Sequence, residues 1–224
     1  MNQHKGDNGS KTPISDVIIR RLSRYHSTLY LLEREHVWTV SSQQLAEMEG
    51  LSPAQVRKDL SVFGSFGQRG VGYDVQTLRE NIGRILGLNR EWNIAVIGVG
   101  QFGNVLINSE IFREKNLSIK KIFDTVPEMI GKKLKDIEIS DIADLEKKLT
   151  PEEIDLAIIA LPPVQVQSVI DRLSKIGIKG VLYFASRSVK IEGHMAIRKR
   201  DISIDLGALT YDISKNEHRE TLTD

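Results

Sequence analysis

Two short stretches hold residues whose types and spacing can do chemistry. The first is Gly98-Val99-Gly100-Gln101-Phe102-Gly103, directly after the apolar run "NIAVI". Between a strand and a helix, Gly98 permits a tight turn, Gly100 leaves room for a pyrophosphate, and Gly103 lets helix and strand pack closely. The helix opening there points its free backbone N–H groups at phosphate charge. Asp124 ends the next apolar run, "IKKIFD", 21 residues past Gly103. A carboxylate at that place bonds the ribose hydroxyls of NAD and repels the extra phosphate of NADP. Lys132 and Lys133 read as plain surface charges.

The second stretch is "LSPAQVRKDLSVFGSFGQRGVGYD", residues 51–74. Ser52 is placed to cap a helix, Pro53 suits the first helical position, and Gln55 completes an S-x-x-Q capping box. Val56, Leu60 and Phe63 recur at helical spacing and face inward. Gln55, Arg57, Lys58 and Ser61 are left on the outer faces, and these are types that touch base edges and phosphates. A short helix in "SSQQLAEMEG" and a turn at Gly50-Leu51 complete a helix-turn-helix outline. "GSFGQRGVGYD" then forms the wing. Its glycines, Gly70 among them, let the backbone approach a duplex, Arg69 suits a phosphate or the minor groove, and Tyr73 closes the stretch. The competing reading is a plain helical bundle with a solvated Arg-Lys face.

The elements that must position these residues follow from periodicity. From Ile14 to about Leu88 the apolar spacing is helical, with Val17, Ile18, Leu22, Tyr25, Leu29 and Leu32 on one face. "SSQQLAEMEG" has Ser41 or Ser42 as N-cap and Gly50 as its stop, and "LRENIGRILGL" is a fourth helix ending at Gly87. Beyond "NREW" short β-branched runs alternate with helices: "NIAVIG", "LSIKKIFD", "DLAIIAL" and "KGVLYFA". That alternation predicts a parallel sheet with helical crossovers. "MAIRKRDISI" adds a strand or two, and "DLGALTYDISKNEHR" reads as a helix with more apolar surface than a frayed tail needs. The fold expected is α/β: a winged helix-turn-helix domain over 13–88, a Rossmann-like parallel-sheet domain over 89–204, and a helix with a tail over 205–224, after a disordered tail over 1–12.

Composition sets outer bounds. The chain has 224 residues, 40% of them hydrophobic, enough for two compact domains with real cores. It has no Cys, which removes disulfides, Cys metal sites and a Cys nucleophile, and suits a cytoplasmic protein. No apolar run approaches the length that spans a membrane, and the polar start is no signal peptide. Neither metal nor membrane is expected. Residues 1–90 carry 12 Lys and Arg against 9 Asp and Glu, and residues 91–224 carry 19 against 21. The slight basic bias of the first part suits a polyanion no better than ordinary scatter does.

Together these residues resemble the redox-sensing transcriptional repressors of the Rex family. The likeness runs from "PISDVIIRRLSRY" to the last helix, and "AQVRKDLSVFGSFGQRGVGYD" is its most specific part. "IGVGQFGNVL", "LPP" at 161–163 and "YFAS" at 183–186 agree with it. The resemblance implies a homodimer whose C-terminal helix is swapped across the dimer, near the partner's winged helix and nicotinamide pocket. It implies binding to double-stranded palindromic operators of genes for NADH reoxidation and fermentation, release by NADH, and competition by NAD⁺. It puts Thr125, Pro162, Ala185 and Ser186 in the cofactor site beside the glycine loop. The sequence departs from the family twice. Ser27 stands where an Arg is usual, and Ser109 stands where a Tyr follows the Asn. Both family residues are linked to an Asp at the start of the swapped helix, matched here by Asp205, with Leu206 beside it. Without an Arg at position 27, Asp205 is either less constrained or paired with another base such as Arg21 or Arg24.

Two other functions compete. An NAD-dependent dehydrogenase needs a substrate domain and a positioned acid–base group. Few residues remain for the former, and His4, His26, His36, His194 and His218 sit in no recognisable catalytic setting. A coenzyme A-binding module can share the glycine loop, but Asp124 favours NAD. Neither rival explains residues 51–74, so no catalytic residue is expected.

Overall fold

The structure, a computed structural model, describes residues 14–67, 71–109, 112, 115–191 and 193–220, the last five by backbone alone. The expected tail over 1–12 lies outside the described residues. The chain divides into two compact units, Met1–Arg90 and Glu91–Asp224.

The first unit is built on α1 (Asp16–Arg34), whose N-cap Ser15 accepts a bond from the Val17 N–H. Its inward stripe, Leu22, Tyr25, Leu29 and Leu32, meets Leu45, Val56, Leu60, Leu78 and Ile82 in one core. Burying a side chain of that size is worth roughly 1.5–3 kcal/mol, so this stripe alone orients α1. β1 (Thr39–Val40) leads into α2 (Ser42–Glu49) and α3 (Pro53–Ser61). β2 (Tyr73–Asp74) pairs antiparallel with β1 and is followed by α4 (Val75–Ile85).

Two local expectations need correction. The reciprocal capping box closes at Ser41 and Gln44. Ser52 caps α3 as expected, accepting from Gln55 N at 3.2 Å, but the Gln55 side chain does not return the bond; its Nε2 donates to Asp59 Oδ1 at 2.7 Å. The fourth helix begins at Val75, ahead of Leu78, because Asp74 caps it through Thr77 N at 2.7 Å.

The second unit holds a seven-stranded sheet in the order β5-β6-β4-β3-β7-β8-β9. β3 (Trp92–Ile97), β4 (Leu117–Asp124), β6 (Ile137–Asp141), β7 (Leu156–Ile159), β8 (Gly180–Phe184) and β9 (Ala196–Arg200) run parallel; β5 (Lys133–Leu134) is antiparallel to β6. β3 is central, and Ile94, Ala95, Val96 and Ile97 are all fully buried because both sheet faces are covered. α5 (Gln101–Asn108), α6 (Leu145–Lys148) and α7 (Pro163–Ile176) serve the crossovers. Strand order reverses on either side of β3, so a crevice opens at the carboxyl end of β3, the usual ligand position of such sheets.

The β5–β6 hairpin was not expected from the sequence. Its turn, Lys135-Asp136, has φ of 48° and 66° and contains no glycine to announce it. Lys133 therefore belongs to a strand, where its side chain stays exposed as the surface charge expected. "MAIRKRDISI" yields one strand only. Asp201 accepts from Ser203 N at 3.1 Å and Oγ at 2.6 Å, and α8 (Ile202–Glu220) starts there, three residues before the expected boundary at 205.

Candidate nucleotide and nucleic-acid sites

At the end of β3 the chain turns through Gly98 with φ +96°, and a Cβ there would stand 2.6 Å from the Ala160 carbonyl oxygen. The Gly98 N–H donates to Phe123 O and the Ala160 N–H to Ile97 O, both at 2.8 Å, which fixes the loop between the ends of β4 and β7. A Cβ on Gly103 would lie 2.0 Å from Gly98 O, so the first turn of α5 rests directly on the strand end. Gly100, the N-cap of α5, has nothing within 4 Å of where its Cβ would be and offers no side-chain cap. No side chain caps the N–H groups of that turn and nothing crowds Gly100, which is the room a phosphate requires. Gly103→Ala is expected to abolish binding of NADH at concentrations that saturate wild type; a circular dichroism spectrum like wild type would confirm that the sheet unit survives.

Asp124 stands beside this loop, where it was expected. It is 3% exposed, however, and both carboxylate oxygens already accept from the backbone. Val99 N donates to Oδ2 at 2.6 Å, while Thr125 N and Val126 N donate to Oδ1 at 2.6 and 2.9 Å. The carboxylate ties the glycine loop to the end of β4 and keeps about one lone-pair direction for anything else.

The remaining named residues rim the same carboxyl ends. Val99 is buried under the loop and Gln101 is exposed on α5. Thr125 is exposed after β4, and Pro162 is the exposed N-cap of α7. Ala185 follows β8 and is half-buried, its N–H on Arg200 O; exposed Ser186 accepts from Lys199 Nζ through its carbonyl. Phe102 stacks edge-on against Phe184, with centroids 4.5 Å apart. Phe184 was missed, although it lies in "YFAS". Gln165, in the first turn of α7, was also missed. Its Oε1 is buried and finds no hydrogen-bond partner among the described residues. An orphaned acceptor near an uncapped helix start fits a ligand that brings both an N–H donor and phosphate charge, as a nicotinamide dinucleotide does.

In the first unit, α3 exposes Ser52, Arg57, Lys58 and Ser61. Arg57 Nη1 donates to Ser42 Oγ at 2.9 Å across to α2, and Ser61 Oγ donates to Lys58 O at 2.8 Å. Gln55, expected fully on the outer face, is only partly exposed there. It is half-buried and turned toward Asp59. Tyr73 packs half-buried against the core, and burial raises its phenol pKa while the charge of Arg57 opposes the rise. Arg69 and Gly70 lie outside the described residues.

Asp59 went unnoticed in the sequence although it sits three residues after Val56, on the inward face. It is 1% exposed. It accepts from Arg21 Nε at 2.5 Å and Nη2 at 2.7 Å, Tyr25 Oη at 2.8 Å and Gln55 Nε2 at 2.7 Å. Burial alone pushes its pKa up, but the bonds from Arg21, Tyr25 and Gln55 outweigh that and hold it below the usual carboxylate range. Arg24 is likewise held by Glu49, with Nε 2.8 Å from Oε2 and Nη2 on the carbonyl at 2.7 Å. Both arginines named as substitute partners for Asp205 are thus engaged inside their own unit. Ser27 Oγ donates to Ser23 O at 3.3 Å, and Ser109 caps the end of α5 through its N–H on Leu106 O. Asp205 and Leu206 are exposed in the first turns of α8. Among the described residues no cluster of His, Asp or Glu is arranged to hold a metal ion, and no helix is long and apolar enough to cross a membrane.

Comparison with known proteins agrees with this geometry. Residues 89–187 match the family model "CoA binding domain", and residues 13–61 match "Putative DNA-binding protein N-terminus". A "Redox-sensing transcriptional repressor Rex" of Brevibacillus brevis is 40% identical over 198 residues, 88% of this chain and 96% of the relative. "Rex 1" of Thermotoga maritima is 41% identical over 197 residues, 88% and 94% of the two chains. A crystal structure of RSP with β-NAD⁺ and operator DNA superposes with a TM-score of 0.82 at 34% identity, covering 95% of this chain and 98% of that one. RSP with β-NADH gives 0.83 at 32% identity, covering 94% and 99%. By sequence over almost its whole length and by fold, the chain belongs to the Rex family of redox-sensing transcriptional repressors.

Proposed function

We propose that this chain is a redox-sensing transcriptional repressor that holds operator DNA and lets it go when NADH binds, with NAD⁺ competing for the same site. One observation carries the reading: a glycine loop that opens on an uncapped helix start, and a capped helix that exposes Arg57 and Lys58, stand on one chain. The protein is not an enzyme, since relatives matching 88% or more of the chain are repressors. The coenzyme A reading rests on 89–187 alone and leaves α3 unexplained. The residues that hold the dinucleotide are the Gly98–Gly103 loop, with Asp124, Thr125, Pro162, Ala185 and Ser186 around it. The cofactor is sensed and not consumed. Its bound form supplies a nicotinamide ring whose charge differs between the two redox states.

The working unit is a homodimer in the cytoplasm. α8 exposes Ile202, Leu206, Leu209 and Ile213 at 50–57%. Their spacing of four, three and four residues makes one apolar seam, and a helix bare on that seam needs a second surface. A dimer reading a palindrome needs its recognition helices one DNA turn apart, roughly 34 Å. A ligand that favours another dimer geometry breaks that spacing, but only by as much as its affinity differs between the two geometries. The direct test is a gel shift on a palindromic duplex titrated with NADH, NAD⁺ and NADPH. NADH should release the DNA and NAD⁺ should blunt the release; indifference to all three would refute the switch.

Arg57→Ala and Lys58→Ala should each weaken operator binding. Loss of one phosphate contact lowers the salt dependence by about one ion, whereas a lost base contact costs roughly 1–3 kcal/mol and relaxes one position. NADH affinity, measured by fluorescence, should stay at the wild-type value in both. Asp205→Ala should keep most of the NADH-induced release, because its usual Arg is a serine here and Arg21 and Arg24 are engaged elsewhere. The ratio of operator affinities with and without NADH decides this; a mutant that loses nearly all of it makes Asp205 the central link.

A further inference from the structure

Gln55 sits in the first turn of α3, the end of a recognition helix that meets base edges. At the sequence level its amide could turn either way. The structure removes that freedom. Asp59 is 1% exposed and, ionised, can only accept. Gln55 must therefore present its Nε2 to Asp59 Oδ1, at 2.7 Å, and turn Oε1 away. The carboxylate cannot swing to follow it. Its other bonds run to Arg21 and Tyr25 on α1, so all four acceptor directions are in use. Tyr25 is fully buried and the Arg21 side chain is 19% exposed, so the frame that holds Asp59 is itself fixed in the core.

We propose that Asp59 is a positioning residue for operator specificity: it fixes the amide of Gln55 so that Oε1 and the remaining N–H face one base pair. A side-by-side acceptor and donor of this kind matches the N6–H and N7 edge of adenine in the major groove. Prepaying the amide's orientation before DNA arrives removes the alternative flip, which would offer the opposite pattern. The inference rests on the operator-binding reading above.

The experiment uses the full chain and a duplex selected from a random pool by the wild-type protein, then a panel in which each half-site base pair is replaced in turn. Gln55→Ala should lose about tenfold or more of the preference for adenine at one position per half-site, the discrimination that a bidentate base contact carries. Asp59→Asn, which can donate to Oε1 and let the amide turn, should lose preference at that same position. The double variant should lose no more than Gln55→Ala alone. Tyr25→Phe removes a bond to Asp59 without touching Gln55 and should keep the preference. NADH affinity should be unchanged throughout. If Asp59→Asn weakens every duplex alike, or Gln55→Ala keeps the full preference, the proposal fails. Should Asp59→Asn not fold, the wild type still decides: NMR of the DNA-free protein must show one Gln55 side-chain amide proton protected from exchange, and a freely exchanging pair overturns the idea. A wild type that selects no duplex at all would instead refute the operator-binding reading.

Discussion

Asp124→Ala is expected to weaken NADH binding on the order of 10- to 100-fold, the equivalent of one or two charge-assisted hydrogen bonds. The effect has two sources. Three backbone N–H groups, of Val99, Thr125 and Val126, lose their acceptor, and the glycine loop loses its tie to β4. The buried negative charge that the proposed binding mode sets beside the ribose disappears as well. NADPH carries an extra phosphate that this charge repels, so NADPH should lose less affinity than NADH and the preference between them should narrow. Fluorescence titration with both ligands separates the two sources. Asp124→Asn keeps an acceptor without the charge and should narrow the preference with a smaller loss of NADH affinity. Full discrimination retained in both variants would leave the carboxylate only its role in holding the loop.

Truncation after Asp201 should give the largest loss of operator binding. The cut falls just before α8, whose described side chains are all exposed, so the sheet unit loses no core residue. The winged-helix unit keeps its own core, from Leu22 to Ile82. What disappears is the seam of Ile202, Leu206, Leu209 and Ile213. A monomer reads one half-site, and losing the linked second half costs on the order of 100- to 10,000-fold in apparent affinity. Sedimentation should show a monomer, the gel shift should vanish at wild-type concentrations, and circular dichroism should still show folded domains. A truncated protein that sediments as a dimer and shifts DNA normally would place the dimer contact elsewhere.

Much of this was legible in the residue order, because the signals are local. Ser52 and Pro53 start α3, the run after Trp92 makes a central strand, and the spacing of Gly98, Gly100 and Gly103 announces a turn that supports a phosphate. Each signal rests on bonds or clashes within a few residues, which any chain of that order must respect. The winged helix, the parallel sheet and the family followed from such signals.

Other features depend on partners brought from far along the chain, and only packing chooses those. Gln55 looks in sequence like half of a capping box. In the fold a buried carboxylate one turn away, fixed by Arg21 and Tyr25 from α1, competes for its N–H and takes it. Asp124 looks in sequence like a wholly free ribose ligand, but burial of the strand end brings the Val99 N–H to 2.6 Å and, with the Thr125 and Val126 N–H groups, leaves the carboxylate only about one acceptor direction for a ligand. The β5–β6 hairpin turns on Lys135 and Asp136, which carry no glycine signal; Lys135 is held by a 2.5 Å bond from Nζ to Ile107 O at the end of α5. The sequence by itself determined which elements form and which residues cap or line them. The tertiary structure decided where each polar side chain spends its hydrogen bonds, because a buried donor or acceptor must take whatever partner the packed core brings within reach.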